Sequence, residues 1–344
     1  MKMVNESIFA SSLRAFFVTF FGAIGAFIGF GLLLLVLIGI FSSGEESKHF
    51  GHGVKIMSDA YGNRKELPSS TPIVLQIEIN SEIGRNDLTA EKIQEILLDS
   101  REGAFKNDRV KAIFLTINSP GGSANETNMI YRALKQYKQK YGTPIYAYVD
   151  GLCASGGYYL ACATDKIYSS DVSLIGSVGV VAWPPFFNVT DAMEKLGVSA
   201  TTLSAGNGKD AMNPTRTWGE GEEASRQKII DFYYEDFVFA VTSNRPNVEA
   251  EQLVKIHGAN VFPASEAKQF GMIDETGYCR DDALKELVRK AGISGEYQVV
   301  CMKCHSWWKD LFQEKIINSP LVTGKIQHEL VMPKADPYSY LYTP

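Results

Sequence analysis

Hydrophobic and polar positions follow two rhythms along this chain, and one stretch follows neither. Residues 16–41, FFVTFFGAIGAFIGFGLLLLVLIGIF, contain no charged side chain. About 20 consecutive apolar residues cross the hydrocarbon core of a bilayer, so the run predicts a transmembrane anchor. A secretory leader has a shorter apolar region ending in an A-x-A-like site. No such site is evident, although the small residues Ser42-Ser43-Gly44 that follow keep a cleaved leader as the alternative. Lys2 and Arg14 precede the run, and Glu45 and Glu46 follow it. By the positive-inside rule, residues 1–15 are cytoplasmic and the bulk of the chain lies outside the inner membrane, which it crosses once.

Residues 42–70 are polar and read as a linker. Strand and helix periods then alternate. IVLQIEI (73–79) has the two-residue period of a strand, and residues 88–100 place Ile93, Ile96 and Leu97 on one helical face. AIFLTIN (112–118) predicts a buried strand that stops at the breaker cluster Ser119-Pro120-Gly121-Gly122. A helix follows from about Asn125 to Tyr141, then the strand PIYAYVD (144–150). DKIYSS (165–170) and SVGVVAW (177–183) predict two short strands. Thr217 and Glu220 have capping-box spacing for a helix reaching about Val241. Residues 261–277 alternate short helix and turn, and 297–344 read as an extended tail. The order predicts an α/β fold of stacked βαβ units over 71–296, with functional residues at the carboxyl ends of parallel strands.

Composition narrows this picture only a little. The 344 residues are 45% hydrophobic, enough for a full core, and the net charge of −5 gives no reason to expect nucleic acid. Five cysteines, an odd and scattered set, do not form a disulfide framework. Cys153 and Cys162 read as small buried hydrophobes. Cys301-Met302-Lys303-Cys304-His305 has the C-x-x-C-H spacing of haem attachment, but nothing else in the chain supports a haem pocket. No cofactor and no metal is expected.

The chemistry concentrates in two glycine-rich turns. Ser155, in ASGGYY (154–159), has glycines after it that let a substrate backbone come close. Lys209 lies in SAGNGKD (204–210). A serine becomes nucleophilic when a base removes its proton, and a lysine can be that base if its amine is kept neutral. A carboxylate aimed at the amine would oppose this. Neighbouring side chains of an extended segment point to opposite sides, so Asp210 is expected to face away. The backbone N–H of Gly156 and one from the Pro120-Gly121-Gly122 turn are candidate oxyanion donors. Of five histidines, only His257 falls in the folded region as a competing base.

With these residues in hand, the chain resembles the signal peptide peptidase A family, membrane-anchored Ser–Lys peptidases of the crotonase/Clp-protease-like fold. The resemblance runs from about Ile73 to Leu287. It rests on INSPGG (117–122), ASGGYY, IGSVGV (175–180), SAGNGKD with Met212, Pro214 and Arg216, Phe237 with Arg245, and Ala267 through Gly277. It implies Ser155 as nucleophile, Lys209 as general base, Gly122 as oxyanion donor and Ser177 as the hydroxyl that positions the lysine. It also implies a short, single-repeat form whose site is built in a homo-oligomer. The implied substrates are remnant signal peptides and other hydrophobic peptides at the lipid membrane. Alternatives are a related peptidase acting on stomatin-like membrane proteins, a crotonase-like acyl-CoA enzyme, and a silent scaffold. The tail is expected to dock in an active site, or to lay Trp307, Trp308, Leu311 and Phe312 on a neighbour or on the membrane.

Overall fold

The computed structural model describes residues 8–41, 53–302 and 338–341. The chain divides into two units, 1–48 and 49–344. In the first, Ile8–Phe41 (α1) is one helix of 34 residues, about 50 Å long at the α-helical rise. Phe16, Phe20, Phe27 and Phe30 stand exposed on it. Among the described residues no helix is long and apolar enough to cross a membrane; the sequence-predicted span runs on past the described side chains.

The second unit is built on one mixed sheet. Its strands are β1 (Val54–Met57), β2 (Ile73–Ile79), β3 (Val110–Ser119), β5 (Ile145–Ala154), β6 (Lys166–Ser169), β7 (Leu174–Gly176), β9 (Val261–Pro263) and β10 (Gln298–Met302). The order is β1-β10-β2-β3-β5-β7-β9, with β6 also on β5. The central pairings from β10 to β7 are parallel, whereas β1 and β9 close the edges antiparallel. A smaller sheet joins β4 (Gly121–Ser123), β8 (Val181–Ala182) and β11 (Tyr338–Leu341).

Strand alternation sorts the core onto two faces. Ile73, Leu75, Ile113, Leu115, Ile117, Ala147 and Val149 face one layer. Val74, Phe114, Tyr146 and Tyr148 face the other, under Leu284 and Leu287 of the helix Arg280–Lys290. Full burial of one such aliphatic side chain stabilises by roughly 1.5–3 kcal/mol. The first layer includes α2 (Ala90–Asp99), α3 (Ala124–Tyr141), the short α4 (Gly156–Ala161) and Phe237 of a later helix. Ser123 caps α3 by accepting from the Glu126 N–H (3.3 Å), and Gly142 ends it at φ 63°, a left-handed position that suits glycine.

Several expectations shift. Gln298–Met302, read as tail, is an inner strand between β1 and β2, and Val54–Met57, read as linker, pairs with it. SVGVVAW is not one strand, since β7 ends at Gly176 and β8 holds only Val181–Ala182. The short helix α5 (Thr190–Lys195) follows β8, and α6 (Ala224–Asn244) starts later than Thr217-x-x-Glu220 predicts. Gly221, at φ 75°, turns the chain just before it.

Candidate active site

Ser155 is the pivot between β5 and α4. Ala154 pairs with Gly176 across β5 and β7, and the Ser155 N–H donates to the Gly176 carbonyl (2.8 Å). Its backbone, at φ 54° and ψ −120°, is one that a non-glycine residue rarely adopts. Such a conformation costs on the order of 1–3 kcal/mol and persists where its surroundings enforce it. It makes a sharp strand-to-helix turn at the carboxyl end of β5. Helix α4 is held firmly behind it. The Tyr158 hydroxyl donates to the Met272 carbonyl (2.9 Å), and that of Tyr159 to Asp236 of α6 (2.6 Å). Asn128 of α3 donates to both Tyr159 and Asp236 (2.9 Å each).

The Gly121-Gly122 turn packs against this pivot. Ile83 donates to the Gly121 carbonyl (2.8 Å) and accepts from the Ser123 N–H (2.9 Å). Strand alternation then turns the Gly122 N–H to the opposite side, the side on which β4 meets β11. A Cβ on Gly122 would fall 2.1 Å from the Ile83 carbonyl oxygen, so only glycine fits. A Cβ on Gly156 would lie 3.3 Å from Gly121 Cα and 2.8 Å from Thr127 Oγ1, which shows how closely the two turns approach. The Gly156 N–H opens α4, where a first-turn amide has no acceptor within its own helix.

Ser177 follows Gly176 as Ser155 follows Ala154, so the two serines stand at neighbouring strand ends, both at positive φ (56° and 54°). Lys209 is placed differently. It sits in an exposed turn, and no hydrogen bond joins it to the nearly buried Ser155, which is 1% exposed. Asp210 lies in a turn, not in the extended segment from which it was expected to face away, and its carboxylate accepts from Arg216 Nε (2.9 Å). The His257 ring lies against Phe270 (centroids 4.2 Å apart) and Phe262, with no hydrogen bond to Ser155. Burial pushes the Cys162 thiol up to about 12 and raises Cys153 further from reactivity, which leaves both as packing residues. Cys301 is buried in β10, while Cys304 and His305 lie outside the described residues, as do His49, His52, His328 and the tail aromatics.

Tyr338–Leu341 is the feature that period and composition conceal. Its backbone pairs antiparallel with Gly121–Ser123 on one side and with Val181–Ala182 on the other. An extended peptide therefore fits between β4 and β8, and this strand also touches α4. Ile83, Asn128 and Asp236 were likewise invisible as site elements, whereas Arg216 and Tyr159 carried a signal, their places after SAGNGKD and in ASGGYY.

A mixed α/β sheet carrying a strained serine beside a glycine turn defines a hydrolase-like scaffold. Residues 137–294 match the model of Peptidase family S49, and residues 60–171 match that of Clp protease. A protease of Methanocaldococcus jannaschii is 35% identical over 58% of this chain and 61% of its own length. A signal peptide peptidase SppA of Enterococcus faecium is 32% identical over 52% of this chain and 51% of its own. Protease 4 of Salmonella typhi is 27% identical over 78% of this chain and 39% of its own. Residues 137–294 are thus similar to the S49 peptidases and residues 60–171 to the Clp proteases, and the chain spans about three-fifths or less of the length of these relatives.

Proposed function

We propose that the chain is a membrane-anchored serine endopeptidase in which Ser155 is the nucleophile and Lys209 the general base. The observation that carries this is the groove. A strained serine lies beside a glycine turn whose free edge accepts an extended segment as an antiparallel strand. A substrate held this way offers its backbone to the site, so cleavage requires an unfolded segment. Ser155 Oγ attacks the peptide carbonyl as its proton passes to the Lys209 amine. The Gly122 and Gly156 N–H groups receive the developing oxyanion. Lys209 then protonates the departing amine, and water releases the acyl group from Ser155 by the same route reversed. Ser177, on the adjacent strand end, holds the amine in place.

The base reaches the serine in the assembled protein. From Gly179 to Asp236 the chain contains no buried residue, yet Phe187, Leu196, Val198 and Leu203 are exposed along it. An arm without a core of its own needs a partner surface to offset its ordering entropy. A second copy of this chain supplies that surface and receives Lys209 at its own Ser155. The apolar run at 16–41 anchors the protein in the inner membrane, with the catalytic unit outside. Remnant signal peptides and other hydrophobic peptides released there are the substrates.

The test uses full-length protein in detergent with a synthetic signal peptide, fragments being read by mass spectrometry. Wild type should cut; Ser155→Ala and Lys209→Ala should not. Cleavage of the same bonds by Ser155→Ala would overturn the assignment.

A further inference from the structure

The turn that carries Lys209 is organised by one side chain. Arg216 uses all five of its N–H donors. Nε binds Asp210 Oδ2 (2.9 Å). One terminal nitrogen binds Glu222 Oε1 (2.6 Å) and the Thr217 carbonyl (2.9 Å), and the other binds Glu222 Oε2 (2.9 Å) and the Asp210 carbonyl (3.0 Å). Glu222 in turn accepts from the Gly219 N–H (2.6 Å) and the Met212 N–H (3.0 Å). Met212 is itself at φ 62°. Elsewhere on this arm no residue is buried, so packing cannot fix the turn. A bidentate, charge-assisted fork can.

We propose that Arg216 is the positioning residue for Lys209: with Glu222 it fixes the turn and holds the Asp210 carboxylate on the guanidinium instead of on the amine. This deepens the reading of Lys209 as base and rests on it. The placement has an electrostatic consequence. Asp210 is the immediate neighbour of Lys209, and an unpaired carboxylate there would favour the ammonium form. Arg216 matches that charge. Glu222 spends its own charge on the same guanidinium, and Glu220 and Glu223 are the remaining acidic groups of the turn.

The test compares Arg216→Lys, Arg216→Met and Arg216→Met with Asp210→Asn in full-length protein. Two readouts are taken: kcat and KM on a signal peptide, and the pH dependence of Lys209 amine labelling, followed by mass spectrometry. The second readout needs no activity. Arg216→Lys keeps the charge but loses the fork. It should lower kcat by on the order of 10²-fold, the scale of a misplaced catalytic group, with KM within about twofold. Arg216→Met should move Lys209 labelling to higher pH, and Asp210→Asn should reverse that shift. If Lys209→Ala is inactive while Arg216→Lys keeps its kcat and labelling is unmoved in Arg216→Met, the positioning role is wrong and the base stands. If Lys209→Ala retains activity, the base reading itself is wrong. Should Arg216→Met misfold, the kcat of Arg216→Lys still decides.

Discussion

Gly122 shows how tightly single residues are specified. Its Cβ position is occupied by the Ile83 carbonyl oxygen, so Gly122→Ala must push β4 away from Ile83. The expected outcome is a loss in kcat of about 10²–10³-fold, the scale of one lost oxyanion donor, with a lowered melting temperature. Peptide kinetics beside a thermal melt would show both, and near wild-type kcat would count against the oxyanion role. Glu222 sets a pH limit on the lysine turn. The Arg216 guanidinium, helped by the Gly219 and Met212 N–H groups, holds its carboxyl down at about 2, against an ordinary value of 4.5. A depressed carboxyl contributes stability that is complete above its unfolded value and fades as pH falls toward the folded one. The turn should therefore be intact at pH 5 and above and loosen between about 4.5 and 2. Trp218, whose indole N–H donates to the Asn213 carbonyl (2.7 Å), reports this. The difference in fluorescence between wild type and Trp218→Phe should change in that window and stay flat above it. The Gly121-Gly122 and Gly156-Gly157 turns were legible from sequence because only glycine permits such close approaches. The Arg216 hub was not, because which carboxylates a guanidinium binds depends on how the turn folds.

At the scale of elements, long apolar periods announced themselves and short ones did not. The strands at 73–79, 112–118 and 144–150 and the helices at 88–100 and 125–141 were legible, since each buries a whole face. β10 was lost in a polar, aromatic stretch, although Gln298, Val299, Val300 and Cys301 are all buried. The Thr217-x-x-Glu220 spacing does not cap a helix because Gly221, at φ 75°, turns the chain before α6 begins at Ala224. β11 carries no periodic signal because its partners lie on distant strands. These corrections change how the tail should be cut. Deletion after residue 297 removes an inner strand and should abolish cooperative folding. Deletion from 303 onward keeps the sheet and empties the groove between β4 and β8. The shorter deletion should keep a two-state melt and lower KM for added peptide. An unchanged KM would mean that Tyr338–Leu341 does not compete with substrate.

For the whole molecule, one contrast organises the account. Ser155, Gly122, Gly156 and Ser177 converge at the strand ends of a well-packed sheet, whereas Lys209 rides on an arm without buried residues. Sequence order alone could not reveal this division, because SAGNGKD reads the same whether it serves its own serine or a neighbour's. Mixing two dead variants distinguishes the cases most directly. Ser155→Ala and Lys209→Ala full-length proteins would be purified separately, dissociated, combined in equal amounts and reassembled, with co-assembly verified by differential tags. In a head-to-tail assembly, half of the serines are intact and half of those meet an intact lysine, so about a quarter of wild-type peptidase activity should return. If co-assembled mixtures stay as inactive as either variant alone, Lys209 does not complete the Ser155 site of a neighbouring copy.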